Sequence, residues 1–137
     1  MLKGLRGVSV SVQALGDNEN AAADGLSAGA LEVYIQMRLR EADIPVLQRG
    51  RDTPNLSLAL AILKLNTGDA YAVSASFSLQ ERATLVRDPQ HTPLAATWNV
   101  MELLVRRSAS MKNLRDDVLR DAMDRFVNHY LAANPKR

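Results

Sequence analysis

The sequence predicts an α+β domain, a single-layer mixed or antiparallel sheet of 4–5 strands with two helices packed on one face, in the order β-α-β-β-β-β-α. Three patterns predict it. Tyr71, Val73, Ala75, Phe77 and Leu79 alternate with Ala72, Ser74, Ser76, Ser78 and Gln80, the period of a strand with one buried face. Ahead of them Leu56, Leu58, Leu60 and Ile62 alternate with Ser57, Ala59 and Ala61, and Asn66-Thr67-Gly68-Asp69 between the two runs is hairpin turn chemistry. From Asn113 to Asn134, polar pairs at 116/117, 120/121, 124/125 and 128/129 alternate with apolar pairs at 118/119, 122/123, 126/127 and 130/131, which makes one apolar stripe along a helix.

Taken in order, Val8, Val10 and Val12 with Ser9 and Ser11 between them predict the first strand. Gly16 to Gly25 is small and polar and predicts a mobile loop. Ser27 is an N-cap residue, Leu26 and Leu31 flank it as a hydrophobic staple, and Leu31, Tyr34, Ile35, Leu39 and Ala42 predict a helix over 28–42. Pro45 blocks its continuation, and Ile44, Val46 and Leu47 suit a short edge strand, followed by a loop from Gln48 to Asn55. Leucine and alanine in 56–65 favour a helix by propensity, but alternation between a proline and a turn predicts a strand. Glu81 falls where the next core residue belongs, so that strand is expected to bulge, bend or leave the sheet there before resuming through Leu85 and Val86. Asp88 to Pro93 is a loop, residues 94–105 with Trp98 form the last strand, and Pro135 stops the last helix.

Length and composition bound the rest. A chain of 137 residues predicts one domain, 1–137, and 47% apolar with 23% charged residues describes a soluble globular chain. No window approaches the roughly 18 apolar residues of a membrane span, and residues 1–15 lack a signal-peptide pattern. Seventeen basic and fifteen acidic side chains leave +2. The closest basic groupings, Arg38/Arg40, Arg49/Arg51 and Arg106/Arg107, lie near Glu41, Asp43, Asp52 and Glu102, which reads as solvated surface and predicts no nucleic-acid partner.

Chemistry is mostly excluded. Without cysteine there are no disulfides, thiolate metal sites or cysteine nucleophiles. His91 and His129 lie in different contexts, Asp88 with His91 has no third ligand, and no metal, cofactor or catalytic residue is expected; His129 is placed at a wet helix C-terminus. The acids Asp116, Asp117, Asp121 and Asp124 alternate with arginines, and Asp116/Arg120, Arg120/Asp124 and Asp121/Arg125 are i,i+4 pairs of a solvated face. No nucleophile elbow, phosphate loop or dinucleotide fingerprint occurs. Helix, three strands and helix is also the order of a double-stranded-RNA-binding domain, but Lys112 is followed by acids where phosphate-binding lysines belong.

What remains is surface. Ser9, Ser11, Ser57, Ala59, Ala61, Ala72, Ser74, Ser76 and Ser78 would pave the sheet face away from the helices as a flat floor, either solvated or closely approached by a second sheet, a loop or a partner. Bulky aliphatic groups on that face would remove this mode of recognition. Trp98 is core if Ala96, Trp98 and Val100 share the helix-covered face, and an interface anchor if Thr97, Asn99 and Met101 do. The expected partner-binding residues are therefore Ser74, Ser76, Ser78 and Trp98, in a non-enzymatic domain that binds a protein partner or forms a homodimer through the sheet face or edge. The alternative is a small-ligand-binding domain or enzyme with a site built from loops 16–25, 48–55 and 87–93, carrying Arg87, Asp88 and His91.

Gly4-Leu5-Arg6-Gly7-Val8, Gly25-Leu26-Ser27, residues 39–46, Arg87-Asp88 with Ala96-Thr97-Trp98, and residues 127–135 resemble a group of small bacterial proteins without an assigned activity, many made with signal peptides. The resemblance implies a fold and a periplasmic or secreted location if a leader is removed; otherwise the chain is expected in the cytoplasm. The chain departs from the group with Asp43 in place of a glycine after the first helix, and with residues 100–105 in place of a glycine-containing turn, which implies a longer last strand. More loosely, the order of elements is similar to small α/β domains of envelope assembly factors, such as the N-terminal domain of the Tol translocation protein and the curli secretion lipoprotein.

Overall fold

The computed structural model describes residues 2–16, 27–65, 70–107, 116 and 119–136. The expected mobile loop up to Gly25, the turn at 66–69 and most of the first turns of the last helix lie outside the described residues. The elements are β1 (Ser9–Gly16), α1 (Ala28–Glu41), β2 (Asn55–Lys64), β3 (Ala70–Arg82), β4 (Leu94–Arg107) and α2 (Arg120–Ala133). They build the predicted α+β fold, a four-stranded mixed sheet in the order β1-β2-β3-β4. β1 runs parallel to β2, and β3 and β4 follow antiparallel.

Local chemistry sets the helix ends. Ser27 Oγ accepts from the Ala30 N–H at 3.2 Å, supplying one of the orphan donors of α1. At the other end Asp43 N–H bonds the Arg40 carbonyl at 3.0 Å and Ile44 N–H the Leu39 carbonyl at 2.9 Å, a Schellman closure. It requires a left-handed residue, and Asp43 takes φ 58°. This is the position where the resemblance leads one to expect glycine. The apolar contact that accompanies such a closure is present, with Leu39 and Ile44 both buried.

Leu31, Ile35 and Leu39 of α1 and Ala122, Met123, Phe126 and Tyr130 of α2 are buried over the same sheet face, with Val8, Val10, Leu58, Val73 and Phe77. Arg38 of α1 bonds Glu41 of its own helix and Asp124 of α2, and the second contact ties the helices together. Burial opposes the guanidinium charge, but the hydrogen bond and attraction from Asp124 outweigh it and hold its pKa above the ordinary value. The chain ends meet: Asn134 donates to the Leu2 carbonyl at 2.7 Å and accepts from Gly4 N–H at 2.7 Å, while Tyr130 Oη donates to the Leu5 carbonyl at 2.9 Å.

Three expectations are corrected. Residues 44–47 form no strand; Val46 makes a single parallel bridge to Val8, with Val8 N–H on the Pro45 carbonyl at 3.1 Å and Leu47 N–H on the Val8 carbonyl at 2.8 Å. Pro45 has no N–H to extend the ladder, and the segment lies so close that a Cβ on Gly7 would sit 2.6 Å from the Pro45 carbonyl oxygen. The irregularity expected near Glu81 is present, between Leu79 and Gln80, but β3 itself does not break and runs to Arg82; the extra residue is on β4, where Leu79 pairs with Trp98 and Gln80 with Ala96, leaving Thr97 over. Glu81 needs no bulge because it is only half-buried at the strand end, where its carboxylate accepts from Thr97 Oγ1. Finally, Leu85 and Val86 resume no strand; Leu85 makes one bridge to Asp88 within a turn.

Candidate functional site: the helix-free sheet face

Strand alternation sorts the side chains of β2, β3 and β4 onto two faces, and register brings them into rows. With Leu58, Leu60, Phe77, Val73 and Trp98 buried beneath the helices, the other face presents Ala59-Ser76-Met101 in one row and Ala61-Ser74-Leu103 in the next. Beyond them Leu63, Ala72 and Val105 share a row, and on the other side Ser57, Ser78 and Asn99 do.

Ser74, Ser76 and Ser78 therefore lie side by side where the sequence places them, half-buried on the face without helices. Trp98 does not join them. It lies across from Leu79 on the helix-covered side, 9% exposed, with its ring edge-on to Phe126 at 5.2 Å between centroids. Its pairing with Leu79 is the cause: Trp98 and Val100 keep the parity of the core side of β3, whereas the bulge at Thr97 puts Ala96, expected on the same side, opposite Gln80 on the other.

The floor is also not uniformly low. β2 and β3 supply the expected alanines and serines, but β4 carries Met101, Leu103 and Val105 with 69%, 77% and 60% of their surfaces exposed, and Leu63 at 65% closes one end. The expectation of a flat small-residue face is corrected to a two-strand trough beside an aliphatic ridge, and the close approach of a partner to a flat floor, the mode of recognition expected from the sequence, is removed with it. Sequence reasoning missed the ridge because the set Met101, Leu103 and Val105 is wholly apolar whereas the alternate set Val100, Glu102 and Leu104 carries a charge, so period alone would turn the ridge inward.

At its far end the face is polar and tightly held. Ser9 Oγ lies 3.0 Å from Asn55 Oδ1 and 3.2 Å from the Pro54 carbonyl, and Asn55 Nδ2 donates to Ser11 Oγ at 2.8 Å. Ser9 and Asn55 are register partners, so this buried network pins the parallel β1–β2 pairing, where a one-residue slip would exchange the two faces.

Arg87, Asp88 and His91 do fall in one turn, closed by Asp88 N–H on the Leu85 carbonyl at 3.2 Å and His91 N–H on the Asp88 carbonyl at 3.0 Å, but all three are exposed. Two hollows lie elsewhere. One of about 390 Å³ is an open groove between Lys3, Arg6, Asp52, Thr53, Pro54 and Glu81, with charges of both signs, and it takes only the end of the expected 48–55 loop as a wall. The other, about 340 Å³, is lined by Leu2, Trp98, His129, Ala132 and Ala133. Neither is lined by Arg87, Asp88 or His91. Among the described residues no three His, Asp or Glu side chains converge as metal ligands, and no helix is long and apolar enough to cross a membrane.

No protein-family model, no curated protein and no solved structure matches this chain.

Proposed function

We propose that this chain is a non-enzymatic interaction domain that docks a protein through the helix-free face of its sheet. One observation carries the reading: Leu63, Met101, Leu103 and Val105, all more than half exposed, border one continuous strip whose interior is alanine and serine. Single exposed aliphatic residues are ordinary on a folded surface, but a contiguous group rimmed by polar residues marks a contact surface. Here the rim is Ser57, Ser78, Asn99 and Gln80. Covering one such side chain fully is worth about 1.5–3 kcal/mol, so a partner that buries the ridge has a driving force that loop-borne polar groups alone do not offer. On the same reading the domain works in the bacterial envelope, a location that rests on the sequence resemblance.

A photoreactive residue tests the docking face. With p-benzoylphenylalanine at 103, irradiation of bacterial cells producing the full chain should give a protein adduct of defined mass. The same residue at 33 or 86, which are also well exposed but on α1 and in a turn, should give none. Adducts at all three positions, or at none, would refute the assignment of this face.

A further inference from the structure

Resting on that reading, we infer that the partner is a second copy of this chain, packed face to face about a two-fold axis along β3 so that the ridge of each copy lies in the trough of the other. The register makes the face complementary to itself. A two-fold axis parallel to the strands preserves the rows and exchanges β2 with β4, since β3 lies between them. Leu103 of one copy is then over Ala61 of the other, and Met101 over Ala59, because Ala61-Ser74-Leu103 and Ala59-Ser76-Met101 are each a single row. Val105 meets Leu63 in the third row, apolar against apolar, and the small Ala72, Ser74 and Ser76 face their own copies on the axis.

Large over small on both sides is what an isologous contact needs, because each surface must be its own complement. It also suits two aligned sheets, which pack about 10 Å apart through interdigitated side chains. Three strands about 4.8 Å apart and eight residues long at about 3.3 Å each cover roughly 14 by 26 Å, so two such faces make a footprint of about 730 Å² before side-chain relief, the size of a small, weak contact below the standard class.

The test uses charge exchange in the purified full chain. Light scattering should give twice the 15.0 kDa chain mass at about 100 μM. Leu103→Asp and Ala61→Lys should each weaken association by about 100-fold or more, since each buries a charge against an apolar surface. The double variant should regain at least about tenfold, because residue 103 of one copy then faces residue 61 of the other with opposite charge. Both positions are exposed in the single chain, so circular dichroism should report unchanged folding. A wild-type monomer at millimolar concentration, or a double variant as weak as the single ones, overturns the inference. A monomer that still forms the position-103 photoadduct in cells overturns only the self-association, whereas loss of both removes the docking face as well.

Discussion

The indole N–H of Trp98 donates to Nδ1 of His129 at 2.9 Å, joining β4 to the last turns of α2. The rings meet edge to face, at 6.3 Å between centroids. As an acceptor, Nδ1 leaves the ring proton on Nε2. The bond accounts for a tryptophan that is core yet borders an open hollow: its one polar atom is satisfied by a helix residue, so the rest of the ring packs on Phe126. His129→Ala should leave that donor to water, shift Trp98 emission to longer wavelength and cost about 1 kcal/mol in urea unfolding. His129→Gln restores an acceptor and should recover most of both effects; equal loss in the two variants would show that the hydrogen bond has no such role.

Asp43 holds a left-handed backbone at φ 58° that a Cβ makes costly. Set against Asp43→Ala, which loses the Lys136 partner equally, Asp43→Gly should be more stable by about 0.5–1 kcal/mol, read as a higher urea midpoint at unchanged slope. Asp43→Val should be the least stable, because branching at Cβ tolerates this region least. Equal midpoints for the glycine and alanine variants would mean that the closure of α1 is not strained.

The carboxylate of Asp43 also receives Lys136 Nζ at 2.7 Å, and that hydrogen bond, followed by the attraction of the charge, keeps its pKa below the ordinary value. With the folded value depressed, the contribution is present above the unfolded carboxylate value of about 4 and fades as pH falls through the folded one. In a carboxyl-carbon NMR titration Lys136→Met should move the Asp43 midpoint upward. An unmoved midpoint would assign the depression to something else.

Gly7 and Gly29 make opposite predictions from the same substitution. At Gly7 a methyl group meets the Pro45 carbonyl oxygen at 2.6 Å, and backbone cannot step aside cheaply. Gly7→Ala should cost about 1–3 kcal/mol and disturb the Val8–Val46 bridge. At Gly29, in the first turn of α1, nothing lies within 4 Å, so Gly29→Ala should stabilise by up to about 1 kcal/mol. Thermal unfolding of the two variants side by side checks both signs.

Much of this architecture is legible in residue order. The alternation of 71–80 and 56–62 gives two strands with the correct faces, Ser27 marks the start of α1, and the paired periodicity of 118–131 gives the buried side of α2. Each is a local pattern whose period reports which side meets the core. The candidate site was half legible. Ser74, Ser76 and Ser78 were found because β3 is apolar on one parity only, whereas the ridge of β4 was hidden because its outward set is the more apolar of the two, Glu102 lying on the other.

By itself the sequence determined the strands, the helices and the absence of cysteine chemistry, since propensity, capping and periodicity act within a few residues of the chain. Tertiary structure alone decided the parallel placement of β1 beside β2, the bridge in place of a strand at Val46, and the register of β4 on β3 that turns Trp98 inward and Met101, Leu103 and Val105 outward. Those depend on which distant backbone pairs with which. A one-residue offset between strands, invisible in either strand alone, reverses the face of every side chain beyond it.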